Sequence, residues 1–125
     1  FEALRATVGA AIGRLQGIAD RVATLDVLAA LAEVAVHEHY VRPTITTSSA
    51  LEIVGGRHPV VERTMPREQF IPNDVRLDDT QRVIILTGPN MAGKSTILRQ
   101  IGLIVIMAQV GAFVPATSAT IGLCD

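Results

Sequence analysis

The sequence predicts an α/β fold in which one long N-terminal helix precedes a domain of mixed strands and helices. Apolar residues recur at helical spacing from Leu4 to Val36, a β-branched run stands at 82–88, and a glycine-rich loop then precedes a second helical pattern. The chain has 125 residues, the length of one small domain or part of a larger one. With 49% hydrophobic and 18% charged residues it can form a core, which excludes a disordered chain.

The first predicted element is a helix over residues 2 to about 40, because its apolar residues alternate spacings of four and three and so share one stripe. Residues 27–36 are apolar almost all round, so this half is expected to be buried. Gly9, Gly13 and Gly17 lower helix stability, which indicates either a closely packed neighbouring helix or a less straight first half. The stripe fits an intramolecular strut, favoured by its small alanines, or a coiled-coil dimer.

Pro43 is expected to end this helix. Composition changes near Tyr40, so we divide the chain into a long connecting helix at 1–42 and an incomplete second domain at 43–125. Short strands are predicted in "TITTSSALEIVGG", with its final Gly-Gly pair as a turn.

The next segment, "HPVVERT", is predicted to form one helical turn with Pro59 at its first position. Residues 63–81 are polar and contain two prolines, so they are predicted to be loop with at most short strands. "RVIILTG", residues 82–88, is predicted to be a strong buried strand.

A helix is predicted from Gly93 to about Gly111, ended by that glycine and by Pro115. "ATIGLCD" is predicted to begin another strand. The apolar run at 101–114 is shorter than the roughly 20 residues that a membrane helix needs, so it is predicted to be a buried helix.

Residues 88–95, "GPNMAGKS", fit the phosphate-binding pattern G-x-x-x-x-G-K-[ST]. Glycine lets the backbone approach a phosphate, and the loop amides and the positive end of the next helix then face the anion. Lys94 is the only lysine among 11 basic residues, and its compact ammonium suits the β- and γ-phosphates better than a planar guanidinium does. The Ser95 hydroxyl can bind Mg²⁺ between those phosphates. The pattern predicts a nucleotide site.

Hydrolysis also needs an acid at a strand end to hold Mg²⁺ and a group that orients water. Asp125 is the candidate acid after the loop, but it ends a short terminal run. We expect instead that the chain is a fragment, inactive alone, whose catalytic half lies beyond residue 125. The net charge of −1 gives no reason for general attraction to nucleic acid, so DNA contacts are expected elsewhere. The single cysteine, Cys124, suits a reducing cytosol.

Five segments in order resemble the MutS family of DNA mismatch-recognition ATPases. "TGPNMAGKSTILRQ" looks like the MutS form of the P-loop, because Met91 stands where the ABC-transporter form usually has glycine. The other segments are "LDVLAALAEVA" (25–35), "GGRHPVVE" (55–62), "FIPNDVRL" (70–77) and "GAFVPA" (111–116). The resemblance covers essentially the whole chain. It implies that residues 43–125 are the first half of an ABC-type P-loop NTPase domain.

The resemblance also implies roles for single residues. Phe70 would lie against adenine, the alternative being a core residue, and Asn90 would contact or orient the γ-phosphate. Lys94 would be the one catalytic residue within this chain, and Ser95 would be the metal ligand. His58 fits the family pattern, but a structural role is favoured for it, as for the histidines at 37 and 39. The residues implied to bind the phosphates are Gly88, Pro89, Asn90, Met91, Ala92, Gly93, Lys94, Ser95 and Thr96.

For the whole protein, the resemblance implies an ATPase that uses ATP and Mg²⁺ to control its hold on mismatched double-stranded DNA. It further implies a homodimer, a MutL-type partner and a bacterial cytoplasmic location at the nucleoid, with no membrane. The DNA contacts, the Walker B acids and the signature loop are expected outside this chain. Two alternatives stay open: a fragment of another ABC-type ATPase, either a transporter or SMC-like, and a non-catalytic helical interaction module. Met91 and "GRHPVVE" argue against the first, and the intact motif argues against the second.

Overall fold

A computed structural model of the chain describes residues 1–66, 69–89 and 93–123. The predicted α/β class with a long N-terminal helix is confirmed. The chain divides into two compact units, Phe1–Glu33 and Val34–Asp125. The elements are α1 (Glu2–His37), β1 (Thr44–Thr46), β2 (Leu51–Gly56), α2 (Val61–Thr64), β3 (Asn73–Leu77), α3 (Lys94–Gln109) and β4 (Ser118–Gly122).

Helix α1 is continuous over 36 residues, but it ends at His37 and not at Pro43 as predicted. The earlier end has a local cause. His39 adopts a left-handed backbone with φ of 55°, which turns the chain away from the helix axis. The amides of His39 and Tyr40 then donate to carbonyls of the last turn at 3.4 and 2.9 Å, so these carbonyls are paired without a proline.

The prediction that residues 27–36 are buried is wrong. Leu28 is 57% exposed and Val34 is 48% exposed, whereas Ala35 is buried. A helix that is apolar all round becomes buried only where other elements surround it. Within the part of the chain that the structure describes, this stretch is covered fully only at Ala35.

The four strands form one mixed sheet in the order β1-β4-β2-β3. Strand β1 pairs with β4 in parallel, and β2 pairs antiparallel with both β4 and β3. Ile53 and Val75 are buried while their neighbours Glu52 and Arg76 are exposed, which is the alternation of a sheet with one covered face. Helix α3 contributes to the same core, whose buried members are Ile53, Val75, Ile104, Ala108, Val114, Ala116, Ala119 and Ile121.

Gly55 and Gly56 lie inside β2, so the predicted Gly-Gly turn is wrong. The pairing of β2 with β3 shifts its register between Ile53 and Gly56, which marks a bulge. Gly55 has φ of 59°, and a Cβ there would lie 2.3 Å from the Thr117 hydroxyl oxygen. The bulge therefore requires glycine both for its backbone angle and for the space that Thr117 occupies.

The predicted buried strand at 82–88 is also wrong. Val83 is 74% exposed and Ile85 is 82% exposed, and these residues belong to no strand. Ile84 and Leu86 line a cavity of about 400 Å³ against β3 and α3. A β-branched run indicates a strand only where a neighbour supplies ladder hydrogen bonds and both faces are covered. The sheet that the described residues form does not include this run.

Helix α3 confirms the helix predicted between Gly93 and Gly111. Gly111 has φ of 85°, and the amides of Gly111 and Ala112 donate to carbonyls of the last turn at 3.1 and 2.9 Å. The strand predicted to begin in "ATIG" is confirmed as β4, and the helical turn predicted in "HPVVERT" is confirmed as α2. Pro59 precedes the N-cap Val60 and is not the first helical residue. Among the described residues, no helix is long and apolar enough to cross a membrane.

Candidate nucleotide site

Two glycines with positive φ bound the loop that precedes α3. Gly88 has φ of 142° and Gly93 has φ of 84°. Gly93 is the N-cap of α3, where no side chain bonds to the cap, and a Cβ there would meet nothing within 4 Å. Backbone angle, and not lack of space, is therefore the reason for glycine at 93. The predicted phosphate-binding residues Asn90, Met91 and Ala92 lie outside the described residues.

Lys94 is the first residue of α3, and its side chain reaches back to residues 88 and 89. Its Nζ donates to the carbonyl of Gly88 and, at 3.1 Å, to the carbonyl of Pro89. An ammonium has three donors, and its described acceptors account for two of them. Lys94 is half-buried, and Ser95 is exposed beside it. The candidate acid Asp125 is not among the residues that the structure describes.

The first turn of α3 supplies further donors. The amide of Ile97 makes the first bond within the helix, to the carbonyl of Gly93 at 3.0 Å. The amides that precede it have no carbonyl partner inside the helix, and the positive end of the helix dipole lies there. Together with the Lys94 ammonium, this end of α3 can bind an anion such as a phosphate.

Phe70 lies beside the same end of α3. A cavity of about 340 Å³ brings Phe70 together with Gly93 and Thr96, although these residues are far apart in sequence. Phe70 is half-buried and is not a member of the core cluster. The lining of the cavity therefore includes both an aromatic ring and the last residue of the loop. The lining residues are Val61, Met65, Gln69, Phe70, Ile71, Asn73, Gly93, Thr96 and Ile97.

Arg57 and Glu62 form an ion pair to which the sequence analysis assigned no role. Arg57 Nε donates to Glu62 Oε2 at 2.7 Å, and the Glu62 side chain is only 1% exposed. A terminal nitrogen of Arg57 also donates to the carbonyls of Glu38 and His39, at 3.4 and 3.5 Å. The available signal was an arginine and a glutamate five residues apart in a segment already singled out, "GGRHPVVE".

His58 is buried and has the structural role that the sequence analysis favoured. Its Nδ1 accepts hydrogen bonds from the amides of Val60 and Val61, at 3.3 and 3.4 Å. These amides begin α2, so the ring pairs donors that a helix start leaves open. His37 contacts the carboxylate of Glu38 at 3.1 Å. Among the described residues, no group of three or more metal-binding side chains occurs.

Tyr40 lies close to these carboxylates. Burial raises the pKa of Tyr40 from 10.0 to about 12, and the negative charges of Glu62 and Glu38 and a hydrogen bond to Glu62 add to the effect. The residues that follow α1, the pair of Arg57 and Glu62, and the start of α2 therefore form one polar junction.

Comparisons with known proteins agree with the resemblance seen in the sequence. Residues 84–125 match the family model of MutS domain V. Over 126 residues, the chain is 51% identical to DNA mismatch repair protein MutS of Rhodopirellula baltica and 54% identical to that of Sorangium cellulosum, and all of it is covered. The MutS protein of Roseiflexus sp. is 57% identical over 113 residues, or 90% of this chain. The chain spans 14% of the length of the first two relatives and 10% of the third.

Fold and site together define an α/β protein with a glycine-bounded loop at the start of a helix. The comparisons with known proteins identify the family to which such a protein belongs. The chain belongs to the MutS family, and its last third corresponds to MutS domain V.

Proposed function

We propose that this chain is the ATP-binding part of a MutS-type mismatch-recognition ATPase. Residues 43–125 would form the first half of an ABC-type P-loop domain, and residues 1–42 would form the end of the helix that joins it to the DNA-handling regions. The observation that carries the proposal is the arrangement of Gly88, Gly93 and Lys94 at the start of α3, in a chain of the MutS family.

In this proposal the triphosphate lies against the first turn of α3. The helix amides and the Lys94 ammonium bind its oxygens, and Phe70 lies against the adenine in the neighbouring cavity. The Ser95 hydroxyl would hold Mg²⁺, which neutralises charge on the β- and γ-phosphates. The exposed position of Ser95 beside Lys94 is compatible with that role.

The rest of the proposed activity belongs to the whole protein. ATP binding and hydrolysis would control the hold on mismatched double-stranded DNA in a homodimer that also binds a MutL-type partner. The whole protein would act in the bacterial cytoplasm, at the nucleoid. The relatives carry the name DNA mismatch repair protein, and this name supports the proposal. The net charge of −1 in this chain is consistent with DNA contacts in other parts of such a protein.

The test is Lys94→Met in the complete MutS protein that carries this segment. The change keeps much of the stem volume and removes the charge that faces the phosphates. We expect steady-state ATP turnover to fall by about tenfold to a hundredfold, which corresponds to ~1.4 to 2.7 kcal/mol.

Arg99→Met is the matched control, because Arg99 is an exposed cation on the same helix. Its turnover should stay within about twofold of wild type. If both variants lose activity equally, the effect is one of net charge and the assignment of Lys94 fails. Wild-type turnover in a folded Lys94→Met variant would contradict the proposed site directly.

A further inference from the structure

Helix α2 has two sides with different surroundings. Val61 in the helix and Met65, its C-cap residue, line the cavity that also contains Phe70. Glu62 lies on the other side, where it pairs with Arg57. The same four-residue helix therefore contacts the proposed base site with one side and the polar junction with the other.

Tertiary contacts must hold α2 in place, because a helix of one turn is not stable alone. Three side-chain contacts are visible among the described residues. The His58 ring accepts the first amides of the helix, Glu62 pairs with Arg57 at 2.7 Å, and Arg63 pairs with Glu38 at 3.6 Å. The Arg57–Glu62 pair also ties α2 to the residues that follow α1, since Arg57 donates to the carbonyls of Glu38 and His39. The bond between Arg57 and Glu62 is 2.7 Å long, and charge-assisted hydrogen bonds of that length are about twice as strong as neutral ones.

We propose that Arg57 and Glu62 are positioning residues of the nucleotide site, whose ion pair fixes α2 so that Val61 and Met65 form a wall of the base cavity. This inference rests on the proposed function, because it takes the Phe70 cavity as the seat of the base. Neither side chain is among the residues that line the cavity, so both act through α2.

The phosphate end of the site has separate supports. Lys94 is held by the carbonyls of Gly88 and Pro89, whereas the described side-chain hydrogen bonds of Arg57 and Glu62 go to each other, to Tyr40 and to the carbonyls of Glu38 and His39. Loss of the ion pair should therefore weaken binding of the base and leave binding of the phosphates unchanged. A general loss of structure would weaken both.

The experiment compares two ligands, Mg²⁺–ATP and Mg²⁺–tripolyphosphate, which has the phosphates without the base. Their dissociation constants are measured by calorimetry on the complete protein carrying Glu62→Gln, which keeps the side-chain volume. We expect the dissociation constant for ATP to rise by about fivefold or more, and that for tripolyphosphate to stay within about twofold of wild type. Glu52→Gln, an exposed acid in β2, is the matched control and should change neither.

The partner variant and the double variant show whether the two residues act together. Arg57→Gln should weaken ATP binding in the same selective way. The combined change should cost no more than about the larger single effect, because each single variant already removes the pair. If the two effects add fully, the residues act independently and the inference is overturned.

Other outcomes are equally decisive. A folded Glu62→Gln variant that binds ATP as wild type does overturns the inference, and so does equal weakening of both ligands. If Glu62→Gln does not fold, Arg57→Lys, which keeps the charge but loses the Nε donor, is judged by the same two ligands. If the wild-type protein binds neither ligand, the proposed function itself fails. If it binds both equally well, the cavity is not a base site.

Discussion

At Tyr40 a phenol lies beside two carboxylates, those of Glu62 and Glu38. Burial and these charges disfavour the phenolate, so the pKa of Tyr40 rises from 10.0 to about 12. The folded protein therefore keeps this proton at a pH where the unfolded chain has lost it. The resulting stability is complete below pH 10 and is lost as the pH rises through about 12.

This pKa can be measured directly, because Tyr40 is the only tyrosine and the chain has no tryptophan. The ultraviolet absorbance of the phenolate should rise with a midpoint near 12 in the folded chain and near 10 in urea. Glu62→Gln should lower the folded midpoint, since it removes one of the negative charges. A folded chain that titrates at the same pH as the unfolded chain would contradict this account of the junction.

Single residues differed in how far the sequence could predict them. Gly93 and Lys94 could be placed at a helix start because their spacing is a local signal. Phe70 could be linked to the loop only through the family resemblance, since no local pattern brings residues 70 and 93 together. The pairing of Arg57 with Glu62 depends on the path of the chain after a bulge in β2, and the bulge itself was not predicted.

Among the helices, two glycines make a matched pair. Gly13 in α1 and Gly111 after α3 would both place a Cβ in open space. They differ in the backbone, because Gly111 has φ of 85° and Gly13 is an ordinary helical residue. Neither position lacks room for a methyl group. Whether alanine raises or lowers the free energy of unfolding should therefore depend on the backbone angle alone.

We therefore expect opposite results from the two substitutions. Gly13→Ala should raise helix content and stabilise α1 by about 1 kcal/mol, because alanine is the better helix former. Gly111→Ala should destabilise the protein by about 1 to 2 kcal/mol, because it forces a side chain into the left-handed region. Circular dichroism during heating measures both. Loss of stability with Gly13→Ala would mean that a neighbouring helix packs there in solution, which is the alternative that the glycine spacing left open.

A further prediction concerns the role of helix α1 in the complete protein. It runs without a break from residue 2 to residue 37, so it can transmit a displacement that a flexible linker would absorb. Leu28→Pro removes a backbone hydrogen bond and clashes with the preceding turn, at a cost of about 3 kcal/mol. Under the proposed function, we expect mismatch binding and ATP binding to persist while the effect of ATP on DNA release disappears.

The measurement is the dissociation rate of mismatched DNA with and without ATP, after circular dichroism has shown that the variant is folded. Leu28→Ala is the control, because it shortens the same side chain and keeps the helix. If folded Leu28→Pro responds to ATP as wild type does, α1 is a spacer and carries no coupling.

For whole elements, the sequence predicted helices better than burial. The ends of α3 were predictable because a glycine marks each of them, Gly93 at the N-cap and Gly111 just after the C-cap, and both have positive φ. The burial of residues 27–36 and of the run at 82–88 was not, because burial depends on which surfaces are available to pack against them. Val83 and Ile85 are apolar enough for a core, yet they remain exposed among the described residues.

For the molecule as a whole, we expect that the purified 125-residue chain does not hydrolyse ATP at a sustained rate. Phosphoryl transfer needs a positioned water and a fixed Mg²⁺ in addition to the phosphate-binding groups. Release of inorganic phosphate is the measurement, with Lys94→Met as the control for contaminating enzymes. Sustained release by the wild-type chain that Lys94→Met abolishes would show that the chain holds a complete catalytic site.

The solitary lysine has a practical consequence for the study of this chain. An amine-selective acylating reagent has one side-chain target in 125 residues, and that target is held by the carbonyls of Gly88 and Pro89. Acylation requires the unprotonated amine, so any oxygen that binds the ammonium slows the reaction. Mass spectrometry of the chain labelled with and without ATP would thus show directly whether phosphate binds at Lys94, without an attached fluorophore. The single lysine is in this way a built-in reporter at the proposed phosphate site.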